Sequence, residues 1–177
     1  MGYPLAAGLL LVACAEDPDI SGIFRTTSHL VDDDSCGTGE PAADPAYFRL
    51  RMENFFVDFY ALASCDGPSP DTCDGGSLLS LFGATFVEPG DDGWTGESFA
   101  ASSVGVGTPC LLAHVTSAAT WQSDGTMQVE ISVYSTEDAT LIGEACKFAA
   151  AEARQDELPC TAHELLVGEK VAEAPAQ

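Results

Sequence analysis

The residues that could carry out catalysis fall short of each catalytic motif that the chain approaches. The stretch "HELLV" (163–167) begins like the zinc-binding HExxH motif, but Val167 stands where the second histidine ligand is needed. The stretches "GESFA" (96–100) and "DGGSLL" (74–79) lack the second glycine of the GxSxG nucleophile turn. The stretch "GVGTPC" (105–110) is a broken GxGxxG that indicates a turn. The sequence therefore predicts no catalytic site.

Histidines are the next candidates, as metal ligands, and each lies in a predicted strand: His29, His114 and His163. If the last strand paired with the first in a closed barrel, His29 and His163 could approach each other, and a metal site would become conceivable. A polar strand face or partial burial accounts for an isolated histidine equally well. The pattern therefore assigns no metal to these positions.

Carboxylates are concentrated in predicted loops. Asp66, Asp71 and Asp74 lie together in "DGPSPDTCDGG" (66–76), and loops of this kind supply the about six to eight oxygen ligands of a calcium ion. Their spacing does not match the EF-hand loop, and a strongly acidic chain is expected to carry carboxylates on exposed turns. Calcium at these three residues is thus an alternative to plain solvated turns, and no other cofactor is expected.

Cysteines beyond the amino-terminal region predict disulfide bonds in an exported chain: Cys36, Cys65, Cys73, Cys110, Cys146 and Cys160. Short separations are the easiest to close, which favours pairing Cys65 with Cys73 and Cys146 with Cys160. A zinc cluster is the alternative, but zinc ligands are usually about two to four residues apart, and no cysteine pair has that spacing.

The seventh cysteine ends an apolar run at the amino terminus. The run from Leu5 to Ala13 has about nine residues, whereas a helix needs roughly 20 to cross a bilayer. An apolar segment of this length followed by small residues is typical of a secretory signal. Residues Leu11-Val12-Ala13-Cys14 resemble the lipobox of bacterial lipoproteins. Residues 1–4 carry no Lys or Arg, whereas such signals normally begin with positive charge.

The lipobox resemblance implies that residues 1–13 are a signal peptide and that Cys14 carries diacylglyceryl and a further acyl chain. Because acyl chains contribute about 0.8 kcal/mol per buried methylene, three chains hold a protein on a membrane stably. The expected location is the bacterial cell envelope, at the outer membrane. The alternative is a buried first strand with a core cysteine, which the acidic residues from Glu16 to Asp19 disfavour.

The charge balance excludes several partners. Six Lys and Arg residues stand against 28 Asp and Glu, a net charge of −22 at pH 7. Such a field repels nucleic acid and anionic headgroups, because phosphate binding depends on Lys and Arg. Adaptation to high salt, where charges are screened over a few ångströms, accounts for the acidity more simply than bound divalent cations.

Alternating apolar and β-branched residues predict six or seven strands, at residues 22–31, 46–63, 77–87, 94–104, 111–122, 126–136 and 161–171. For 161–171 a helix is the alternative. The hairpin of 111–122 and 126–136 has the cleanest alternation, with Met127, Val129 and Ile131 on one face. In 46–63 the alternation slips past Asn54, which indicates a bulge or a bend. The alanine-rich residues 144–156 predict a short helix near the carboxyl terminus.

These elements predict a mainly β, single disulfide-braced domain (22–171) after a lipid-anchored tether (14–21) and before a disordered tail (172–177). Short turns favour an antiparallel up-and-down meander closed into a small barrel, with a β-sandwich as the alternative. Gly22-Ile23-Phe24 resembles the Gly-x-Trp of lipocalins, with Phe24 in place of tryptophan. The resemblance implies a lipocalin-like barrel, which encloses a small apolar molecule if its interior is hollow.

Two non-catalytic functions remain open. One is a membrane-anchored binding module that holds a small apolar ligand inside the barrel, with Phe48, Phe56, Leu81 and Val129 as walls. The other is an envelope structural or interaction protein with an acidic surface and no cavity. An internal void of roughly several hundred cubic ångströms would favour the first function, and a filled core would favour the second.

Overall fold

A computed structural model describes residues 17–43, 45–73, 84–103, 105 and 107–171. Its strands are β1 (Gly22–Asp32), β2 (Glu40–Pro41), β3 (Tyr47–Phe55), β4 (Val57–Cys65), β5 (Thr85–Phe86), β6 (Glu88–Pro89), β7 (Gly93–Ser102), β8 (Cys110–Trp121), β9 (Thr126–Asp138) and β10 (Cys160–Lys170). The helix α1 spans Phe148–Glu152, and single 3-10 turns cover Pro70–Thr72, Gly143–Ala145 and Gln155–Glu157. Within these ranges no helix is both long and apolar enough to cross a bilayer.

The strands form one antiparallel sheet that nearly closes into a barrel. Their order is β5-β4-β3-β1-β10-β9-β8-β7-β6, with β2 paired to β1. The two ends of this order, β5 and β6, are separated along the chain only by Val87, whose N–H donates to the Thr95 carbonyl of β7 at 2.7 Å. The segment 85–89 therefore joins β4 to β7. The predicted mainly β, antiparallel meander barrel is confirmed.

The segment 46–63 was wrongly predicted as one strand, because it forms the hairpin of β3 and β4. Phe55 pairs with Val57, and Phe56 reverses the chain between them with a φ of 66°. Glycine, asparagine, aspartate and proline normally mark such a turn. Because a phenylalanine occupies this position, the slip in alternation past Asn54 was the only sign of the turn in the sequence.

Two other predicted elements differ in extent. The helix predicted over 144–156 is reduced to α1, because Cys146 is bonded to Cys110 and Lys147 is extended, so the helix begins only at Phe148. The strand predicted over 77–87 lies largely outside the described residues, and only its end is seen, in β5.

The inward faces of the long strands fill the barrel. Met127, Val129 and Ile131 alternate along β9 and are fully buried, as the alternation predicted. The other strands add large side chains that are also fully buried: Phe24, Phe48, Leu50, Tyr60, Phe86 and Leu166. Phe24 and Phe48 stack with ring centroids 5.1 Å apart. A Cβ at Gly168 would lie 2.6 Å from the Phe48 ring, so only glycine leaves room for this stack.

Three disulfides brace the barrel: Cys36–Cys160, Cys65–Cys73 and Cys110–Cys146. The predicted Cys65–Cys73 pair is confirmed, and the predicted Cys146–Cys160 pair is wrong. Antiparallel pairing of β1 with β10 places the loop after β1 beside Cys160 at the start of β10. Cys36–Cys160 and Cys110–Cys146 therefore join segments that the fold brings together, whereas Cys65–Cys73 joins the two cysteines nearest in sequence.

Candidate functional site

The outer face of β7, β8 and β9 carries an open groove of about 460 Å³, here termed the outer groove. Because β9 turns its odd-numbered apolar residues inward, the even-numbered residues of the strand face outward. These three strands, with Glu88 of β6, provide the groove lining: Glu88, Thr95, Gly96, Glu97, Thr116, Ser117, Ala118, Glu130, Ser132 and Tyr134. The lining includes three glutamates and no Lys or Arg, so the electrostatic potential of the outer groove is negative.

Two histidines are paired with glutamates of the outer groove. His114 Nε2 lies 2.7 Å from Glu97 Oε1, and His163 Nε2 lies 3.1 Å from Glu130 Oε1. Both imidazoles are largely buried, whereas both carboxylates remain about half exposed. Each carboxylate therefore keeps a solvent-facing surface that a cationic group could approach.

An aromatic column borders the outer groove. The His114 ring stacks between the rings of Phe99 and Tyr134, at centroid distances of 4.6 Å and 5.6 Å. Phe148 of α1 meets Phe99 edge-on at 5.8 Å, and the Cys110–Cys146 disulfide ties the segment before α1 to β8. This packing holds His114, and through it Glu97, in place.

A second titratable pair lies inside the barrel. His29 Nε2 is 2.8 Å from Glu164 Oε1, and each side chain is only 6% exposed. Burial raises the pKa of the Glu164 carboxyl, and the neighbouring His29 opposes that rise. His29 Nδ1 is buried without a hydrogen-bond partner. The pair is enclosed in the core, and neither side chain is accessible to a substrate.

The histidine pair considered from the sequence does not converge. β1 and β10 are neighbours, as the closed barrel required, and Asp32 lies opposite His163 in their register. His163 is adjacent in sequence to Glu164, so the two side chains face opposite sides of the sheet. His29 contacts Glu164 inside the barrel and His163 contacts Glu130 outside it.

The acidic loop singled out for calcium is described only in part. Asp66 and Asp71 are exposed in the loop that the Cys65–Cys73 disulfide closes, and Asp74 lies outside the described residues. Over the part of the chain that the structure describes, no three His, Cys, Asp or Glu side chains are grouped so that they could hold a metal ion.

Sequence reasoning missed the amino-terminal strap, here residues 17–20, which lies across one end of the barrel. The Trp94 indole N–H donates to the Pro18 carbonyl of the strap at 2.7 Å, and the Trp121 indole N–H donates to the Asp19 carbonyl at 3.2 Å. The Tyr60 hydroxyl donates to Asp19 Oδ1 at 3.0 Å. Burial, reinforced by Asp19, raises the pKa of Tyr60 to about 12. The described part of the predicted tether is therefore fixed to the domain.

Cys14 and the rest of the lipobox, Leu11-Val12-Ala13, lie outside the described residues, so acylation stays a prediction. The outer groove was also missed, because its lining comes from four strands, β6 to β9, whose register the sequence pattern does not reveal. Searches of protein families, curated proteins and solved structures found no match to this chain.

Proposed function

We propose that this protein is an exported, lipid-anchored, non-catalytic interaction module that binds a basic envelope partner in its outer groove. The observation that carries the proposal is the contrast between the two sides of the barrel wall. The inner side carries a continuous cluster of buried apolar residues, whereas the outer side offers an open groove whose lining includes three carboxylates.

Cysteine usage supports export and anchoring. All six cysteines beyond Cys14 are in disulfides, which persist in oxidising compartments such as the bacterial periplasm. The odd cysteine is Cys14, the residue that the lipobox resemblance assigns to acylation. The same chain thus has disulfides, which are typical of compartments outside the cytosol, and an additional cysteine, Cys14, that could carry a lipid anchor.

The chemistry of the outer groove supports a cationic partner. Glu97 and Glu130 present half-exposed carboxylates, and Tyr134 adds an aromatic ring that can take part in cation–π contact. A lysine-rich segment of an envelope protein matches this lining in both charge and hydrogen bonding.

Storage of a small apolar ligand inside the barrel has weaker support. Phe48 and Val129, two of the expected cavity walls, are fully buried within the core cluster. Phe56, a third, is 93% exposed at the β3–β4 turn, and Leu81 lies outside the described residues.

The test is binding of a fluorescent lysine octapeptide to the full-length protein in detergent, measured by anisotropy at two salt concentrations. The double variant Glu97→Gln/Glu130→Gln keeps side-chain size and hydrogen-bonding capacity but removes two groove charges. Because exposed charge pairs contribute about 0.5 kcal/mol each, we expect the Kd to rise about fivefold, and wild-type binding to weaken with added salt.

The matched control is Glu144→Gln/Glu157→Gln, which removes two charges from the exposed turns flanking α1. This variant should bind the octapeptide as the wild type does. Equal losses in the two double variants would assign binding to overall charge and refute a specific role for the outer groove.

A further inference from the structure

The most exposed large apolar side chains of the described residues lie at the turn between β3 and β4. Phe55, Phe56 and Val57, here termed the hairpin tip, are 72%, 93% and 60% exposed. The rings of Phe55 and Phe56 meet edge-on with centroids 4.7 Å apart. Phe56 has a φ of 66°, in the left-handed region that bulky residues rarely adopt. A strained aromatic turn that is largely exposed points to a contact outside the barrel.

The hairpin extends beyond the rim of the barrel. The last pair between β1 and β3 is Gly22 with Leu50, whereas β3 continues to pair with β4 as far as Phe55. At roughly 3.3 Å per residue, this extension of β3 is about 16 Å long. Residues 51–58 are exposed apart from the half-buried Glu53, so neither face of the extension is covered.

The amino-terminal strap leaves the barrel at the same end. Asp17 lines an open depression together with Met52 and Asp58 of the hairpin. Cys14 precedes Asp17 by three residues, which span at most about 11 Å when fully extended. Met52 lies three residues before Phe55, a distance of roughly 10 Å along β3, so the end of the hairpin and an acylated Cys14 can reach the same level.

We propose that the hairpin tip inserts into the interface of the bilayer that holds the Cys14 anchor. The proposal rests on the lipid anchor put forward above. Acyl chains on Cys14 hold this end of the barrel within about 11 Å of the membrane, and the hairpin spans that gap. Aromatic side chains are favoured at the boundary between headgroups and acyl chains.

The charges around the hairpin tip select the kind of lipid. Asp17, Asp19 and Asp58 line the depression beside it, and the nearby Arg51 is already paired with Glu53. These carboxylates are repelled by anionic headgroups. The surface that fits the tip is accordingly a zwitterionic phospholipid bilayer.

The test places a tryptophan at the tip of the acylated, full-length protein in phosphatidylcholine vesicles. Phe56→Trp is compared with Phe148→Trp, a matched control at an exposed phenylalanine of α1. Emission from Trp94 and Trp121 is subtracted with the parent protein. In vesicles containing lipids brominated near the headgroup end of the acyl chain, we expect quenching of Phe56→Trp to exceed that of Phe148→Trp at least twofold. Adding anionic phosphatidylglycerol should reduce this difference.

The remaining outcomes separate the two proposals. Equal quenching of both variants, while the protein floats with the vesicles, would overturn the tip contact and leave the anchor intact. Protein that neither floats nor carries acyl mass on Cys14 would overturn the anchor and the tip contact together. A dimer that shields the Phe56→Trp indole without vesicles would assign the tip to a second copy of the chain and overturn membrane insertion.

Discussion

At the residue scale, the buried carboxyl of Glu164 makes the stability of the fold depend on pH. Its pKa is raised chiefly by burial, with a smaller rise from Asp33, while His29 and His163 act in the opposite direction. A raised pKa means that the folded protein takes up a proton more readily than the unfolded chain. The stability that protonated Glu164 contributes is therefore fully present below the unfolded value, near 4.5, and is lost as the pH rises through the higher folded value.

The Glu164→Gln variant tests this effect because an amide cannot ionise. We expect the wild type to lose free energy of unfolding relative to the variant as the pH rises above 4.5. Urea unfolding over a pH series measures the difference. Glu152→Gln, at an exposed position of α1, is the control and should show no comparable trend. A difference between wild type and Glu164→Gln that stays constant with pH would refute the effect of burial.

Backbone strain at Phe56 gives a second prediction at this scale. The left-handed conformation costs a bulky residue roughly 1–2 kcal/mol, and asparagine tolerates it better. We expect Phe56→Asn to raise the free energy of unfolding by about 0.5–1 kcal/mol in urea denaturation. Phe55→Asn is the control, because Phe55 has no positive φ and should show no gain. A clear loss of stability in Phe56→Asn would mean that the side chain supports the turn.

At the scale of elements, the sequence predicted what local alternation determines. β9 could be located because buried apolar residues alternate with less buried ones over residues 126–131, and β8 follows from the short turn that precedes β9. The β3–β4 turn was missed because Phe56 is an unusual turn residue. The outer groove could not be foreseen, because it depends on register that brings Glu97, Thr116 and Ser132 side by side across three strands.

The disulfides give a prediction about how elements are held together. Cys36–Cys160 closes a separation of 124 residues, Cys110–Cys146 one of 36 and Cys65–Cys73 one of 8. In the chain-entropy model these bonds contribute about 5, 4 and 2.5 kcal/mol. Replacing each pair with serines should therefore lower the free energy of unfolding in that order, as urea denaturation would measure. The reverse order would show that native-state contacts, not loop entropy, dominate.

At the scale of the whole molecule, the net charge of −22 means that an anionic bilayer repels the protein. In the function proposed above, attachment to the envelope depends on acyl chains at Cys14. We expect Cys14→Ser to move the protein from the membrane fraction to the soluble fraction of a cell lysate. Cys73→Ser, which removes a cysteine from the folded domain instead, should leave the protein on the membrane.

Mass spectrometry of the native protein, purified from its own envelope, tests the central claim most directly. The predicted result is a chain that begins at Cys14, carries diacylglyceryl and a further acyl chain on that residue, and contains its other six cysteines as disulfides. An amino terminus that still begins at Met1, with no added hydrocarbon mass, would contradict the account.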